Sequence, residues 1–313
     1  MKDLKVIFMG TPEFAVPVLN KLIENTNVVL VVSQPDAPVG RKKILTPSPV
    51  KQVALENNIE VFTPYKIKEE YEKVLDVNPD IIITCAYGQI IPKILLDAPT
   101  HKCINVHASL LPKYRGGSPI SKSIMNGDKN TGITIMYMAE GMDDGDIIKQ
   151  ESINIEEYDN ILTLSEKLSK LGAKLLIETL PSILDKSCAR IKQNESEVTF
   201  AYVSKRSDEF IDFNDCAFNI HNKVRGLYPN AYCLFDELEM KILKTEIIEK
   251  NYEGKIGEIV DITKDAFFIK CQTNTLKVTE IKPFSKKQMN VKDYFNGIKK
   301  ENLIGKCLNE KEK

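Results

Sequence analysis

Through its first half the chain alternates short, wholly apolar runs with segments whose apolar residues recur at helical spacing, and that alternation leaves few architectures open. Residues 4–9 read as a buried strand, followed by a turn and a helix over about 13–24 that carries Phe14, Val18, Leu19 and Leu22. Residues 28–33 give a second strand. The pattern repeats less cleanly through 50–56, a strand near Val61, a helix around 69–76 and a strand over 80–85. Strands apolar on both faces, joined by helices, call for a mostly parallel sheet that helices cover. The expected class is α/β with a Rossmann-like sheet. The first turn, Gly10-Thr11-Pro12-Glu13-Phe14, lacks the three-glycine spacing that lets a dinucleotide pyrophosphate approach the backbone, so NAD binding is not expected.

Residues 104–107 and 132–137 continue the strands, and 163–180 is the clearest long helix, with a capping residue at its start and Pro181 as its stop. Between about 186 and 205 the chain turns polar, with Lys186, Arg190, Lys192, Glu195 and Glu197, and reads as a linker. Beyond it, a short helical region at 215–223 precedes apolar runs at 230–235, 240–247, 257–262, 266–271 and 276–281, separated by charged or glycine-bearing turns. Such runs predict a small antiparallel barrel. The expected division is therefore 1–185, a linker at 186–205 and 206–313, in keeping with a length of 313 residues.

Lysine and arginine total 43 against 44 acidic residues, so neither a basic coat over the whole chain nor an acidic tail is available, and nucleic acid would have to be met by a local basic surface. Seven cysteines at 85, 103, 188, 216, 233, 271 and 307 are odd in number and lack the close pairs of a zinc or disulfide framework. They read as reduced thiols. No stretch approaches 18 uninterrupted apolar residues and no cleavage signal follows the first apolar run, so a cytoplasmic protein is expected.

Polar chemistry concentrates in residues 104–120, Ile-Asn-Val-His-Ala-Ser-Leu-Leu-Pro-Lys-Tyr-Arg-Gly-Gly-Ser-Pro-Ile. Asn105 and His107 are two apart at a strand end, which puts both side chains on one face. An amide and an imidazole so placed can donate to an oxygen that gains charge when a carbonyl is attacked; a capping or core pair is the plainer alternative. A second polar turn, Gly141-Met142-Asp143-Asp144-Gly145-Asp146, offers three carboxylates. Such turns more often face solvent than hold a metal, and one carboxylate could instead orient His107 or move a proton through water. There is no Gly-x-Ser-x-Gly elbow, and Cys103 has no local partner that would make it a nucleophile, which favours direct transfer.

With Gln34-Pro35-Asp36, Pro47-Ser48-Pro49-Val50-Lys51, Ala86-Tyr87-Gly88-Gln89-Ile90-Ile91-Pro92 and 142–146, this segment resembles the methionyl-tRNA formyltransferase family over nearly the entire chain. Asn105, His107 and the loop opening Ser109-Leu110-Leu111-Pro112 are shared with the wider folate-dependent formyltransferases, whereas the 34–51 loop narrows the match. The resemblance implies a Rossmann-like formyltransferase catalytic domain followed by a small OB-like antiparallel β-barrel. It also implies transfer of the formyl group of 10-formyltetrahydrofolate to the α-amine of methionyl initiator tRNA, by direct attack through a tetrahedral intermediate and without a metal. Asn105, His107 and Asp143 align with the family's catalytic trio, Asp143 being preferred to Asp144 because the family's carboxylate opens the Asp-x-Gly-Asp turn. The reduced folate is implied near Ala86, Tyr87, Gly88, Gln89, Ile90, Ile91 and Pro92, with Ser109, Leu110, Leu111 and Pro112 closing the same pocket. Without the resemblance, Tyr87 and Ile91 would be read as covering the end of the sheet.

Arg41, Lys42, Lys43 and Lys51 face a single acid, Asp36, in what reads as a flexible loop, and the resemblance makes Arg41 the leading contact to tRNA. Among residues 277–300, Lys277, Lys282, Lys286, Lys287, Lys292, Lys299 and Lys300 are opposed by Glu280 and Asp293. That cluster, with Lys286 and Lys287 at its centre, is the expected phosphate footprint of the second domain. The expected protein is a monomer whose partners are methionyl initiator tRNA and a reduced folate, with no membrane. A formyltransferase acting on an amino sugar would keep the trio and change the substrate-facing surfaces, and an RNA-binding protein of the same fold would keep the surfaces without the chemistry.

Overall fold

Every residue of the first strand after Lys5 is buried, which demands a neighbour on each edge and cover on each face. The structure, a computed structural model, describes residues 1–40, 42–298 and 300–309, with Glu301 described by its backbone alone. From the N-terminus the elements are β1 (Lys5–Gly10), α1 (Val16–Asn25), β2 (Asn27–Val32), β3 (Ala37–Val39), β4 (Ile44–Thr46), α2 (Pro49–Glu56), β5 (Val61–Phe62), α3 (Glu72–Asp76) and β6 (Ile81–Cys85). There follow α4 (Lys93–Asp97), β7 (Cys103–His107), α5 (Pro119–Met125), β8 (Asn130–Tyr137), β9 (Ile147–Asn154) and α6 (Ile161–Leu184). They build a seven-stranded sheet of order β5-β2-β1-β6-β7-β8-β9. The strands are parallel from β5 to β7, while β8 runs antiparallel to both β7 and β9. This is the α/β, parallel-rich architecture the alternation predicts.

The chain folds as two compact units, the first made of Met1–Pro119, Asn130–Asn154 and Leu164–Tyr202, the second of Ile120–Lys129, Ile155–Thr163 and Val203–Lys313. The expected start of the second domain at 206 lies close to Val203, whereas 186–202, expected as a linker, belongs to the first unit. Ile191 bridges to Ile147 and Phe200 to Arg115, so the segment packs along the first unit. Most of its residues are exposed, in keeping with its polar composition, and a few of its side chains also satisfy polar groups of the unit it covers, as the site shows. Pro181 likewise fails to end its helix, which runs on to Leu184. Leu176, Leu180 and Ile183 are buried on one face, and burial of that stripe outweighs the one missing N–H near the helix end.

The second unit adds α7 (Ala217–Gly226), β10 (Tyr232–Phe235), β11 (Leu238–Ile248), β12 (Ile259–Ile262), β13 (Phe267–Lys270), β14 (Thr275–Pro283) and β15 (Met289–Asn290). The strands form an antiparallel sheet of order β10-β11-β14-β13-β12, with β15 on β14. The sheet curls around a core in which Ile220 and Val224 of α7 meet Ile242, Phe267, Leu276 and Ile281. Residues 305–309 span the gap between its two end strands. Gly305 N–H donates to Ile259 O at 2.9 Å, and Asn309 N–H donates to Leu234 O at 2.8 Å.

Candidate active site

Strand order reverses between β1 and β6, and in open α/β sheets ligands bind beyond the carboxyl ends of the strands at such a reversal. The loops leaving β1, β2 and β6 are tied together there. Thr11 Oγ1 donates to Tyr87 O at 3.0 Å and Gln34 Nε2 donates to the same oxygen at 3.2 Å. One strand further along, Asn105 and His107 lie at the carboxyl end of β7, on one face as their spacing requires.

The structure brings Asn105, His107 and Asp143 together. Asn105 Nδ2 donates to Asp143 Oδ1 at 3.3 Å, and Asp143 Oδ2 lies 3.6 Å from His107 Nδ1. Because a carboxylate only accepts, the amide nitrogen of Asn105 must face it, and Asn105 Oδ1 then accepts from the Thr84 hydroxyl at 2.9 Å. One N–H of the Asn105 amide remains after the bond to Asp143. His107 is nearly buried, and its Nε2 lies 3.0 Å from Tyr114 O. A carbonyl also only accepts, so Nε2 carries the proton and Nδ1 is the nitrogen that faces Asp143. The carboxylate is fixed from a third side by Gly116 N–H, which donates to Oδ2 at 2.8 Å.

The three carboxylates of the 143–146 turn have separate fates. Asp143 joins Asn105 and His107, Asp144 is exposed, and Asp146 accepts from Arg190 Nε at 3.0 Å. Asp143 adopts a left-handed backbone with φ of 49°, which costs a non-glycine residue on the order of 1 kcal/mol. Gly145 is required by close approach, since a Cβ there would sit 1.9 Å from Tyr137 O. Among the described residues no group of three or more His, Cys, Asp or Glu side chains could hold a metal. Burial pushes the Cys103 thiol up to about 12, and its Sγ donates to Leu95 O, which leaves it unreactive.

In the 86–92 loop the side chains are divided between scaffold and surface. Tyr87 and Ile91 belong to a core cluster, as the plainer reading has it. Gln89 is also scaffold, accepting from Ile67 N–H at 2.8 Å and donating toward Pro64 O. Ala86 and Gly88 are exposed with positive φ, Ile90 is exposed, and Pro92 caps α4. The turn at 109–112 is satisfied within the protein. Thr134 Oγ1 donates to Ser109 O at 2.6 Å, Leu111 N–H lies 3.2 Å from the same hydroxyl, and Gln150 Nε2 donates to Leu111 O at 2.9 Å. Ser109 Oγ donates to Lys113 O, and Leu110 O accepts from Lys113 N–H. The peptide bond before Pro112 is cis.

Arg41 lies outside the described residues. Its neighbours form a two-stranded hairpin rather than a loop, with β3 and β4 paired from Ala37–Thr46 to Val39–Ile44. Lys42 and Lys43 are exposed at its tip, and Val39, Ile44 and Leu45 are exposed along it. Lys51 pairs with Asp36 at its base, at 2.7 Å. In the second unit Lys286 and Lys287 are exposed in the turn between β14 and β15. Lys277 is paired with Glu246 at 2.9 Å and Lys300 stands over the Phe295 ring, while Lys299 lies outside the described residues.

Sequence reasoning missed Thr84, Tyr114, Gly116 and Gln193 as parts of the site. Thr84 had one signal, since it stands opposite Asn105 in the parallel pairing of β6 and β7. Gln193 had none, because its partners lie 48 and 50 residues earlier in the chain.

Comparison with known proteins identifies this sheet and its cluster as the framework of a formyl-transferring enzyme. Residues 4–180 match the family described as "Formyl transferase", and residues 204–299 match "Formyl transferase, C-terminal domain". A methionyl-tRNA formyltransferase of Staphylococcus epidermidis is 48% identical over 309 residues, covering 97% of this chain and 99% of that protein. One from Bacillus cereus is 48% identical over 313 residues, covering 98% and 99%. Among solved structures, an N-formyltransferase from Helicobacter canadensis in complex with folinic acid and dTDP-3-aminofucose superposes with a TM-score of 0.68 at 21% identity, over 88% of this chain and 98% of that one. HypX from Aquifex aeolicus in complex with tetrahydrofolic acid gives 0.63 at 14%, over 94% of this chain and 47% of that one. Those two show the fold alone. The chain belongs to the methionyl-tRNA formyltransferase family.

Proposed function

We propose that this enzyme transfers the formyl group of 10-formyltetrahydrofolate to the α-amine of methionyl initiator tRNA, by direct attack through a tetrahedral centre. The observation that carries the reading is the closure of Asn105, His107 and Asp143 on one another in a chain whose full-length relatives act, by name, on methionyl-tRNA. A folate-type donor is supported by the folate compounds bound to two proteins of this fold. The exposed backbone of Ala86 and Gly88 beside the reversal point fits such a ligand. The tied backbone of 109–112 suits that turn to being a wall of the pocket.

The amine of an aminoacyl ester is an ammonium until it loses a proton, and Asp143 with His107 Nδ1 offers the place to put it, directly or through one water. The neutral amine then attacks the formyl carbon, and the carbonyl electron pair moves to oxygen. The free N–H of Asn105 and a protonated Nδ1 of His107 donate to that oxygen, in a setting where His107 is nearly buried and the donors need little reorganisation. Attack leaves the amine nitrogen positively charged, so it gives up a second proton. Return of the electron pair then restores the carbonyl as the bond to folate N10 breaks; the departing nitrogen takes one proton, and the other leaves to water. Lys42 and Lys43 on the hairpin, together with Arg41, and Lys286 and Lys287 on the second unit are assigned to tRNA phosphate. Among the described residues no helix is long and apolar enough to cross a membrane.

The test is formyl transfer from 10-formyltetrahydrofolate to purified methionyl initiator tRNA, with methionyl elongator tRNA and an amino sugar nucleotide in parallel. Product on initiator tRNA in preference to the others is expected. Product on the sugar alone would keep the trio and overturn the tRNA assignment.

A further inference from the structure

Gln193, from the polar stretch that resembles a linker, is bound to the backbone of the catalytic turn. Its Nε2 donates to Asp143 O at 2.7 Å and to Gly145 O at 2.9 Å. One amide nitrogen thus holds two carbonyls two residues apart, across a turn whose first residue is left-handed and belongs to neither a helix nor a strand. The amide cannot flip, because its Oε1 accepts from Arg115 Nε–H at 3.0 Å. Arg115 is itself buried and anchored by Glu195 through both terminal nitrogens, at 2.8 and 3.4 Å. Its backbone is stitched to the same polar stretch, with Arg115 N–H donating to Thr199 O and Ala201 N–H donating to Arg115 O. The next residue is Gly116, whose N–H donates to Asp143 Oδ2. The contacts therefore close a ring, from the carboxylate of Asp143 through Gly116, Arg115 and Gln193 back to the carbonyl of Asp143.

We propose that Gln193, oriented by Arg115, is a positioning residue that sets both the backbone and the carboxylate direction of Asp143, and so the separation between Asp143 and His107. The proposal rests on the reading of Asp143 as part of the catalytic trio. Gln193 touches no reacting atom; it acts by removing the freedom of a turn that nothing else among its described hydrogen bonds holds at these two carbonyls. A carboxylate that must meet an amine within hydrogen-bond reach tolerates little displacement, and an error of about 1 Å costs about 100-fold in rate.

The experiment compares wild type, Gln193→Met, Gln193→Glu, Asp143→Asn and the double variant Asp143→Asn/Gln193→Met, in steady-state formylation with each substrate varied in turn. Methionine keeps the length of glutamine without its donors, and glutamate keeps the shape yet cannot donate to a carbonyl. Both single variants at 193 are expected to lose about 10- to 100-fold in kcat, with KM for folate and for tRNA unchanged within about twofold. In the Asp143→Asn background the Gln193→Met change should cost less than about threefold, because its effect passes through the missing carboxylate. Full activity of Asp143→Asn would remove the trio reading itself. Loss of activity in Asp143→Asn beside normal kcat at 193, or costs that simply multiply in the double variant, would overturn the positioning role and leave the trio intact. If Gln193→Met does not fold, Gln193→Glu and its double variant with Asp143→Asn carry the same comparison.

Discussion

At the scale of single residues the site works by pairing groups whose hydrogen-bonding choices are forced. Asp143 can only accept, so it turns the Asn105 amide; Tyr114 O can only accept, so it fixes the proton on His107 Nε2. Asn105→Ala removes both the donor proposed for the oxyanion and one restraint on Asp143. It is expected to lower kcat by about 100- to 1,000-fold, with the melting temperature little changed because Asn105 is only half-buried. Single-turnover formylation beside thermal unfolding checks this, and an unchanged chemical step would remove Asn105 from the mechanism. Thr84→Val should act more weakly, about tenfold, by freeing the Asn105 amide to rotate; a crystal structure showing the amide still aimed at Asp143 would count against that cause. A period of two puts Asn105 and His107 on one face in the sequence, while their place in a trio with Asp143 is what the family resemblance implies. Gly116 and Gln193 were not legible there, since a glycine N–H and a glutamine amide declare no partner until the fold delivers one.

At the scale of elements, the alternation of apolar runs is enough to anticipate the parallel sheet, whereas the short hairpin outside that alternation is not anticipated. The segment that forms the hairpin of β3 and β4 reads as a flexible loop in the sequence; Pro38 lies within the hairpin, where proline is tolerated because an isolated edge has no ladder for its missing N–H to break. Its exposed Lys42 and Lys43 predict a selective defect. Lys42→Ala with Lys43→Ala should raise KM for tRNA several-fold and leave folate affinity unchanged, as read by separate binding titrations. In the second unit, helix α7 carries His221, whose pKa burial, assisted by the Arg225 charge, lowers to about 4 from an ordinary 6.5. Its Nδ1 is 2.8 Å from Thr245 Oγ1. The unfolded chain therefore binds a proton that the folded one refuses, so stability falls as pH drops from about 6.5 to about 4. The loss amounts to about 3 kcal/mol. Denaturant unfolding across that window should show a shallower pH slope for His221→Asn than for wild type; parallel slopes would mean that His221 does not titrate against folding.

At the scale of the whole molecule the charge balance decides how an RNA substrate can be held. With 43 basic and 44 acidic residues there is no net attraction for a polyanion, so affinity must come from places where lysines lack acidic neighbours. In the second unit that criterion separates residues the sequence presents as one cluster. Lys277 is neutralised by Glu246 across β11 and β14, whereas among the described residues Lys282, Lys286, Lys287 and Lys292 form no ion pair. The sequence cannot make the distinction, because Lys277 meets Glu246 only through strand register, 31 residues apart. Each lysine that neutralises an RNA phosphate releases a counterion and steepens the salt dependence of binding by about one unit or slightly less. Lys286→Ala with Lys287→Ala should therefore reduce the slope of log affinity against log salt by about 1 to 2, while Lys277→Ala leaves it nearly unchanged. Filter binding of initiator tRNA between 50 and 300 mM salt measures both. Equal slopes for wild type and the 286/287 variant would make those lysines bystanders and move the RNA contact to the hairpin. A reduced slope for Lys277→Ala would mean that RNA competes successfully with Glu246 for that ammonium.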